Sequence, residues 1–272
     1  MDCVRVSWIG AVLLGVVLLG GAGCSEEEPI EESGGILSGE EGNLLGATLT
    51  SWARVDENGA VTEIGFRLPM AAVEAAPVAE FDPTTPPGEE IVLHLEVPEL
   101  VQQTTLINFI EVGYNPAGHP PMGVYTVPHF DFHYYSVPEA EVAAIDCSDM
   151  TPFPEEMLPE NHVADPPGPP PDGGCVPGMG IHAVDSTSPE LHPESPAPFT
   201  ETMILGAYGG KFLFIEPMIA RDVLLERGDF SMEIPVPATV GRNTLYPTRF
   251  LATYDAQEDA YTFLLVNFVP VN

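Results

Sequence analysis

The run His129-Phe130-Asp131-Phe132-His133-Tyr134 constrains this chain more than any other stretch. Polar and aromatic residues alternate in it with period two, which marks a β-strand whose two faces differ chemically. Phe130, Phe132 and Tyr134 make one face, suited to a core. His129, Asp131 and His133 make the other, expected to project into solvent or a cavity. A strand rises about 3.3 Å per residue, so the two histidines stand on the order of 13 Å apart at Cα, far for a single ion. Three arrangements answer this: a bulge brings both rings to one metal, Asp131 is the middle ligand, or Asp131 orients one imidazole by accepting its N–H.

Three further residues extend the set. His119 lies ten residues before His129 in GHPP, and His182 follows PGMGI, whose glycines allow close backbone approach. Glu216 ends KFLFIEP, where alternation places it on one face with Phe212 and Phe214. A carboxylate facing a core must be paired, protonated or metal-bound, because an isolated buried charge costs many kcal/mol. His119, His129, Asp131, His133, His182 and Glu216 are therefore the candidate ligands of a divalent metal, and imidazole with carboxylate suits zinc, iron or manganese alike. An ion with an open position would polarise a small-molecule ligand or activate water. The alternative is a non-catalytic envelope interaction or structural protein whose histidines form a hydrogen-bonded network. His94, a lone histidine in an apolar strand, and His162 and His192, in proline-rich loops, are set aside. The chain has no Gly-x-Ser-x-Gly elbow, phosphate-cradling loop, dinucleotide fingerprint or zincin helix motif, so no reaction is named.

The formal net charge of −33, with Lys211 the single lysine, excludes nucleic acid as a partner, since the surface would repel phosphate. Residues 1–23 read as an export signal: Arg5 is followed by apolar Trp8 to Leu19 and by the small residues Gly20 to Gly23. Small residues directly before Cys24 resemble the bacterial lipoprotein signal, which implies lipidation of Cys24, anchoring to the cell envelope and a periplasmic or outer-membrane location. Cys147 and Cys175 then remain as an even pair in an oxidising compartment. A disulfide between them closes a loop of about 29 residues and contributes roughly 3 to 4 kcal/mol in the chain-entropy model.

Residues 24–42 are acidic, carry Gly and Ser, and are expected to form a flexible tether. The folded domain is then 43–272. Ala47–Asp56 and Val61–Pro69 read as a hairpin over Asn58-Gly59, and Met70–Ala76 as a short helix. Strands are expected at Ile91–Val97, Thr104–Tyr114, Met179–Asp185 and Phe230–Val236, with hairpins Thr200–Tyr208/Lys211–Ile215 and Leu245–Asp255/Tyr261–Val269. Glu139–Ile145 and Ala220–Arg227 favour short helices, and the Pro-rich 152–174, between the cysteines, is expected to lack regular structure. Many short strands with hairpin turns and few helices define an all-β class: a single β-sandwich or barrel-like domain with short peripheral helices.

The segments NPAGHPPMGVYTVPHFDFHYY, VPGMGIHAVD and KFLFIEPMIA, in that order, resemble an uncharacterised bacterial secreted or lipoprotein family represented in Thermus thermophilus, with PHFDFHFY, MG-x-H and EPM blocks. The resemblance spans roughly residues 45–255 and implies a β-rich domain with a shared site at the six candidate ligands; it implies no activity. Tyr134 replaces a usual Phe and Ala183 a frequent aromatic, and the cysteine-flanked insertion is particular to this chain. A weaker likeness links Pro177, Gly178 and His182 to the second histidine motif of cupins, which implies a metal-holding barrel.

Overall fold

The computed structural model describes residues 34–84, 90–170 and 172–272. The expected signal segment and Cys24 lie outside the described residues.

Alternating apolar positions build two antiparallel sheets that pack face to face. The first takes β1 (Ile36–Leu44), β2 (Ala47–Val55), β3 (Val61–Pro69), β11 (Phe230–Glu233), β12 (Thr244–Asp255) and β13 (Ala260–Val271), in the spatial order β1-β2-β3-β13-β12-β11. The second takes β4 (Ile91–Glu96), β5 (Phe109–Asn115), β6 (His129–Tyr135), β7 (His162–Ala164), β8 (Ile181–Asp185), β9 (Glu201–Tyr208) and β10 (Lys211–Ala220), in the order β4-β5-β6-β10-β9-β8-β7. Short helices α1 (Met70–Ala75), α2 (Glu99–Thr104), α3 (Glu139–Val142) and α4 (Arg221–Leu225) sit in the connections. This is the β-sandwich expected from the strand pattern.

The core lies between the sheets and is largely aromatic. Phe132 of β6 meets Phe66 of β3 edge-on at 5.1 Å and Phe263 of β13 at 4.6 Å, and all three are fully buried. Offset and edge-to-face geometry at such distances adds to the area burial, by about 0.5 to 1.5 kcal/mol per pair. Because Phe130, Phe132 and Tyr134 turn inward, strand periodicity sends His129, Asp131 and His133 to the outer face of the second sheet.

Three expectations are corrected. The tether was expected to run to residue 42, yet β1 begins at Ile36 and pairs with β2 along Ile36↔Arg54 to Leu44↔Ala47. Ladder pairing uses backbone groups and so needs few apolar side chains; glycines even assist here. A Cβ on Gly39 would stand 2.1 Å from Ser51 Oγ and 2.6 Å from the Glu96 carbonyl, so glycine lets β1 press against the β2 and β4 edges. Next, the strand expected over 104–114 begins late: Thr104 is the last residue of helix α2, and β5 starts only at Phe109. Pro98 precedes Glu99 there, and α2 is followed by the extended Thr105. Last, the Pro-rich segment is not irregular throughout: it holds a 3₁₀ turn at Glu155–Met157 and strand β7, which pairs with β8 through Val163↔Val184.

The Cys147–Cys175 disulfide is formed, across 28 residues, and it encloses β7. The loop so closed is attached by backbone as well, through Asp165 N–H to the His182 carbonyl at 2.9 Å, and its two flanks are joined by Gly178 N–H to the Ile145 carbonyl at 3.0 Å. The covalent link thereby secures the sheet edge next to His182.

Candidate metal centre

Register sets which polar groups meet on the outer face. In the β5–β6 ladder Glu111 opposes His133, Gly113 opposes Asp131 and Asn115 opposes His129. β10 places Met218 opposite Asp131 and Ile215 opposite Tyr134, which leaves Glu216 abreast of His133. On the far side His182 of β8 pairs with Gly206 of β9, and His94 of β4 pairs with Glu111. A row of alternating imidazole and carboxylate results. His94 Nε2 to Glu111 is 2.7 Å, Glu111 to His133 Nδ1 3.3 Å, His133 Nε2 to Glu216 3.4 Å and Glu216 to His182 Nε2 3.9 Å.

All six candidate ligands lie on or over this one face, but they form two groups. His119, His129 and Asp131 make the first, and His133, His182 and Glu216 the second; within each, the potential ligand atoms lie within 4.8 Å of one another. The single convergence that a bulge would have produced does not occur, because β6 pairs with β5 in one unbroken register from His129 to Tyr135. Its straight course holds His129 and His133 apart.

Nor does this face project into solvent, since His129 and His133 are fully buried. The chain returning over β6 covers it. His119 packs edge-on against His129 at 4.7 Å between ring centroids, and Phe199 caps His129 at 5.7 Å and Tyr125 at 5.0 Å. Gly118, at φ 72°, makes the sharp entry to His119. A Cβ there would lie 2.2 Å from the Tyr125 carbonyl. In the second group the Phe214 ring wedges edge-on against His133 at 4.8 Å and against His182 at 5.3 Å. Gly206 makes room for that ring, as a Cβ there would fall 2.1 Å from it. The expected common face of Phe212, Phe214 and Glu216 is corrected: a register shift between Phe212 and Phe214 turns Phe212 towards Tyr246 of the other sheet.

Hydrogen bonding fixes how the imidazoles present themselves. His119 and His129 each direct Nδ1 at a backbone carbonyl, of Pro120 and Val127, both at 2.7 Å. Only an N–H can satisfy a carbonyl oxygen, so in the neutral ring Nε2 carries the lone pair. Both Nε2 atoms face Asp131, at 3.5 and 3.2 Å. Lone pair against carboxylate oxygen is repulsive unless a proton or a cation lies between. His129 Nε2, Asp131 Oδ1, both nitrogens of His133 and Glu216 Oε2 are all buried without a hydrogen-bond partner. They are close to one another yet misaligned for hydrogen bonds, as donor atoms directed at a common third point are.

Electrostatics follow from crowding. Burial pushes Glu216 well above the usual carboxylate range, and the nearby charges of Asp131, Glu90 and Glu111 push it further. Glu90 is raised for the same reasons: burial, then Asp131 and Glu111. For Asp131 burial acts upward too, but His129 and His119 more than offset it and hold the carboxyl well below the usual range. Burial lowers His133, and lowers His182 to about 3, leaving both rings neutral with lone pairs available. His94 behaves oppositely; its hydrogen bond to Glu111 outweighs burial and raises it to about 9.

Four contributors were missed or set aside. His94 is no lone histidine, since it joins Glu111 to Glu139, at 2.6 Å from the latter. Glu111 carried a legible signal: IEVGYN alternates with the same period as HFDFHYY and puts Glu111, Gly113 and Asn115 on one face. Asn115 donates to Asp131 Oδ2 at 2.7 Å. Glu90 has no periodic signal, because it precedes β4 and arrives over Gly113, where a Cβ would stand 1.9 Å from its Oε1. Two clefts lie elsewhere, one of about 350 Å³ beside Glu190 and Met232 and one of about 270 Å³ beside Lys211 and Tyr208, and neither includes a candidate ligand.

The fold and site define a class: a β-sandwich carrying a buried imidazole–carboxylate face that can hold metal or form a hydrogen-bonded network. Comparison with protein-family models, curated proteins and solved structures finds no match.

Proposed function

We propose that this is a lipid-anchored extracytoplasmic protein of the bacterial cell envelope that binds a divalent metal ion through its outer histidine face. One observation carries the metal assignment. His119 and His129 use their Nδ1 protons on backbone carbonyls and turn Nε2 towards the oxygens of Asp131. Metal-ligating histidines characteristically spend the other ring N–H on a carbonyl or carboxylate, which fixes the tautomer that coordinates. Zinc, iron or manganese fits the nitrogen and oxygen donors. Such an ion would act as a Lewis acid or activate water on a small-molecule ligand. His119, 30% exposed at its side chain, is the side from which a ligand approaches.

Export and anchoring are supported by the apolar N-terminal run and the small residues before Cys24. The Cys147–Cys175 disulfide supports an oxidising compartment. The resemblance in the PHFDFH, MG-x-H and EP blocks, which contain five of the six candidate ligands, supports a site common to a family. Hydrogen bonds such as Asn115 to Asp131 favour the second reading, a structural network in a non-catalytic envelope protein.

Elemental analysis of the exported protein, purified without a histidine tag, decides between them. Bound metal whose content falls in His129→Ala and in His182→Ala is expected; a folded, stable, metal-free protein in metal-replete medium overturns the metal assignment. Labelled fatty acid should follow the chain and vanish in Cys24→Ser, and unlabelled wild-type protein overturns the anchor.

A further inference from the structure

We infer that the face takes two divalent ions, one in each group, with Glu90 as the counter-charge they share; this deepens the metal assignment above and rests on it. The two ligand groups have no residue in common. They are strung along a strand without a bulge, and residues two apart on a strand, such as Asp131 and His133, are separated by about 6.6 Å. The ions are therefore separately liganded neighbours.

Charge balance points the same way. Four carboxylates crowd this face: Glu90, Glu111, Asp131 and Glu216, three of them buried and Glu90 half-buried. Beside one divalent ion two of these carboxyls could stay buried only by holding a proton, whereas two ions match all four as carboxylates. His94 bridges Glu111 at 2.7 Å and the exposed Glu139 at 2.6 Å, so the one positive charge it can carry is offset by Glu139 and leaves the count of four unchanged.

Glu90 occupies the place where a shared charge is needed. Three cross-strand pairs line this part of the face, Asn115↔His129, Gly113↔Asp131 and Glu111↔His133. Glu90 stands over the middle one, in space that only a glycine at 113 leaves open. The Asn115 amide donates to both Glu90 Oε1, at 3.4 Å, and Asp131 Oδ2, at 2.7 Å, and so ties Glu90 to the first group.

The test is a zinc titration of the demetallated full-length protein, in excess magnesium to occupy the acidic exterior, read by stoichiometry and repeated with cobalt for its ligand-field bands. Two equivalents are expected, with His129→Ala and His182→Ala each retaining one. Glu90→Gln should keep the tighter ion and weaken the other about tenfold or more, as substitutions just outside a metal's ligands do. One equivalent in the wild type overturns the inference and leaves the metal assignment standing; no binding sinks both. Two unchanged dissociation constants in Glu90→Gln overturn the role of Glu90. Wild-type stoichiometry requires no variant, so a misfolded substitution cannot obscure the answer.

Discussion

His133 Nε2 and Glu216 Oε1 lie 3.4 Å apart, on two buried residues, without the alignment of a hydrogen bond. A pair of this kind costs desolvation and returns little unless a third partner completes it.

Replacing Glu216 by Leu therefore separates a metal ligand from a structural group. In metal-free protein the change should be neutral or stabilising by about 1 kcal/mol or more, because a crowded buried carboxyl gives way to an apolar side chain. Bound metal should fall. A loss of about 1 to 3 kcal/mol in metal-free urea unfolding would show instead that Glu216 satisfies buried donors.

His94 supplies a pH signature. Its pKa in the folded protein is about 9, above the ordinary 6.5, owing first to Glu111 and then to Glu139. A raised folded-state pKa adds stability that is complete below about 6.5 and is lost as pH rises through about 9. Wild type should thus exceed His94→Gln in stability at pH 6, and the two curves should converge by pH 10. Parallel curves across that range would remove His94 from the charge network.

Reduction of Cys147–Cys175 should lower stability by roughly 3 to 4 kcal/mol in the chain-entropy model. The closed loop holds β7 against β8, so metal retention by His182 should fall along with it. Thermal unfolding with and without reductant measures the first effect and equilibrium dialysis the second. An unchanged melting temperature would mean that backbone pairing alone secures this edge.

Gly206→Ala tests the wedge beneath the second group. The new methyl would meet the Phe214 ring at 2.1 Å, and that ring braces His133 and His182. Overpacking of this kind costs about 1 to 3 kcal/mol. Unfolding should record the cost, and zinc binding to the second group should weaken more than binding to the first. Equal weakening at both would mean a general loosening.

Much of this architecture was legible in the residues. HFDFHYY announced a strand with an aromatic core side and a polar side, and the hairpins over Asn58-Gly59 and Gly209-Gly210 were set by their turn chemistry. Three things were hidden, each for a physical reason. Strand β1 joins through backbone pairing at glycine-rich positions, which leaves no apolar period to detect. His94 looked isolated because its partners Glu111 and Glu139 are brought to it only by the β4–β5 ladder and by α3. One site became two because the choice between a bulged and a straight β6 depends on its neighbours β5 and β10.

The early start of β1 bears on where the sandwich can be. The chain is already held at Gly35, whose carbonyl accepts from Val55 N–H at 3.0 Å. The covalent span from an acylated Cys24 to Gly35 could not exceed about 40 Å. Were Cys24 acylated as proposed, that span would confine the domain to the first few nanometres above the lipid headgroups, where a strongly acidic body would be repelled by anionic lipid and would hover away from the surface rather than rest on it.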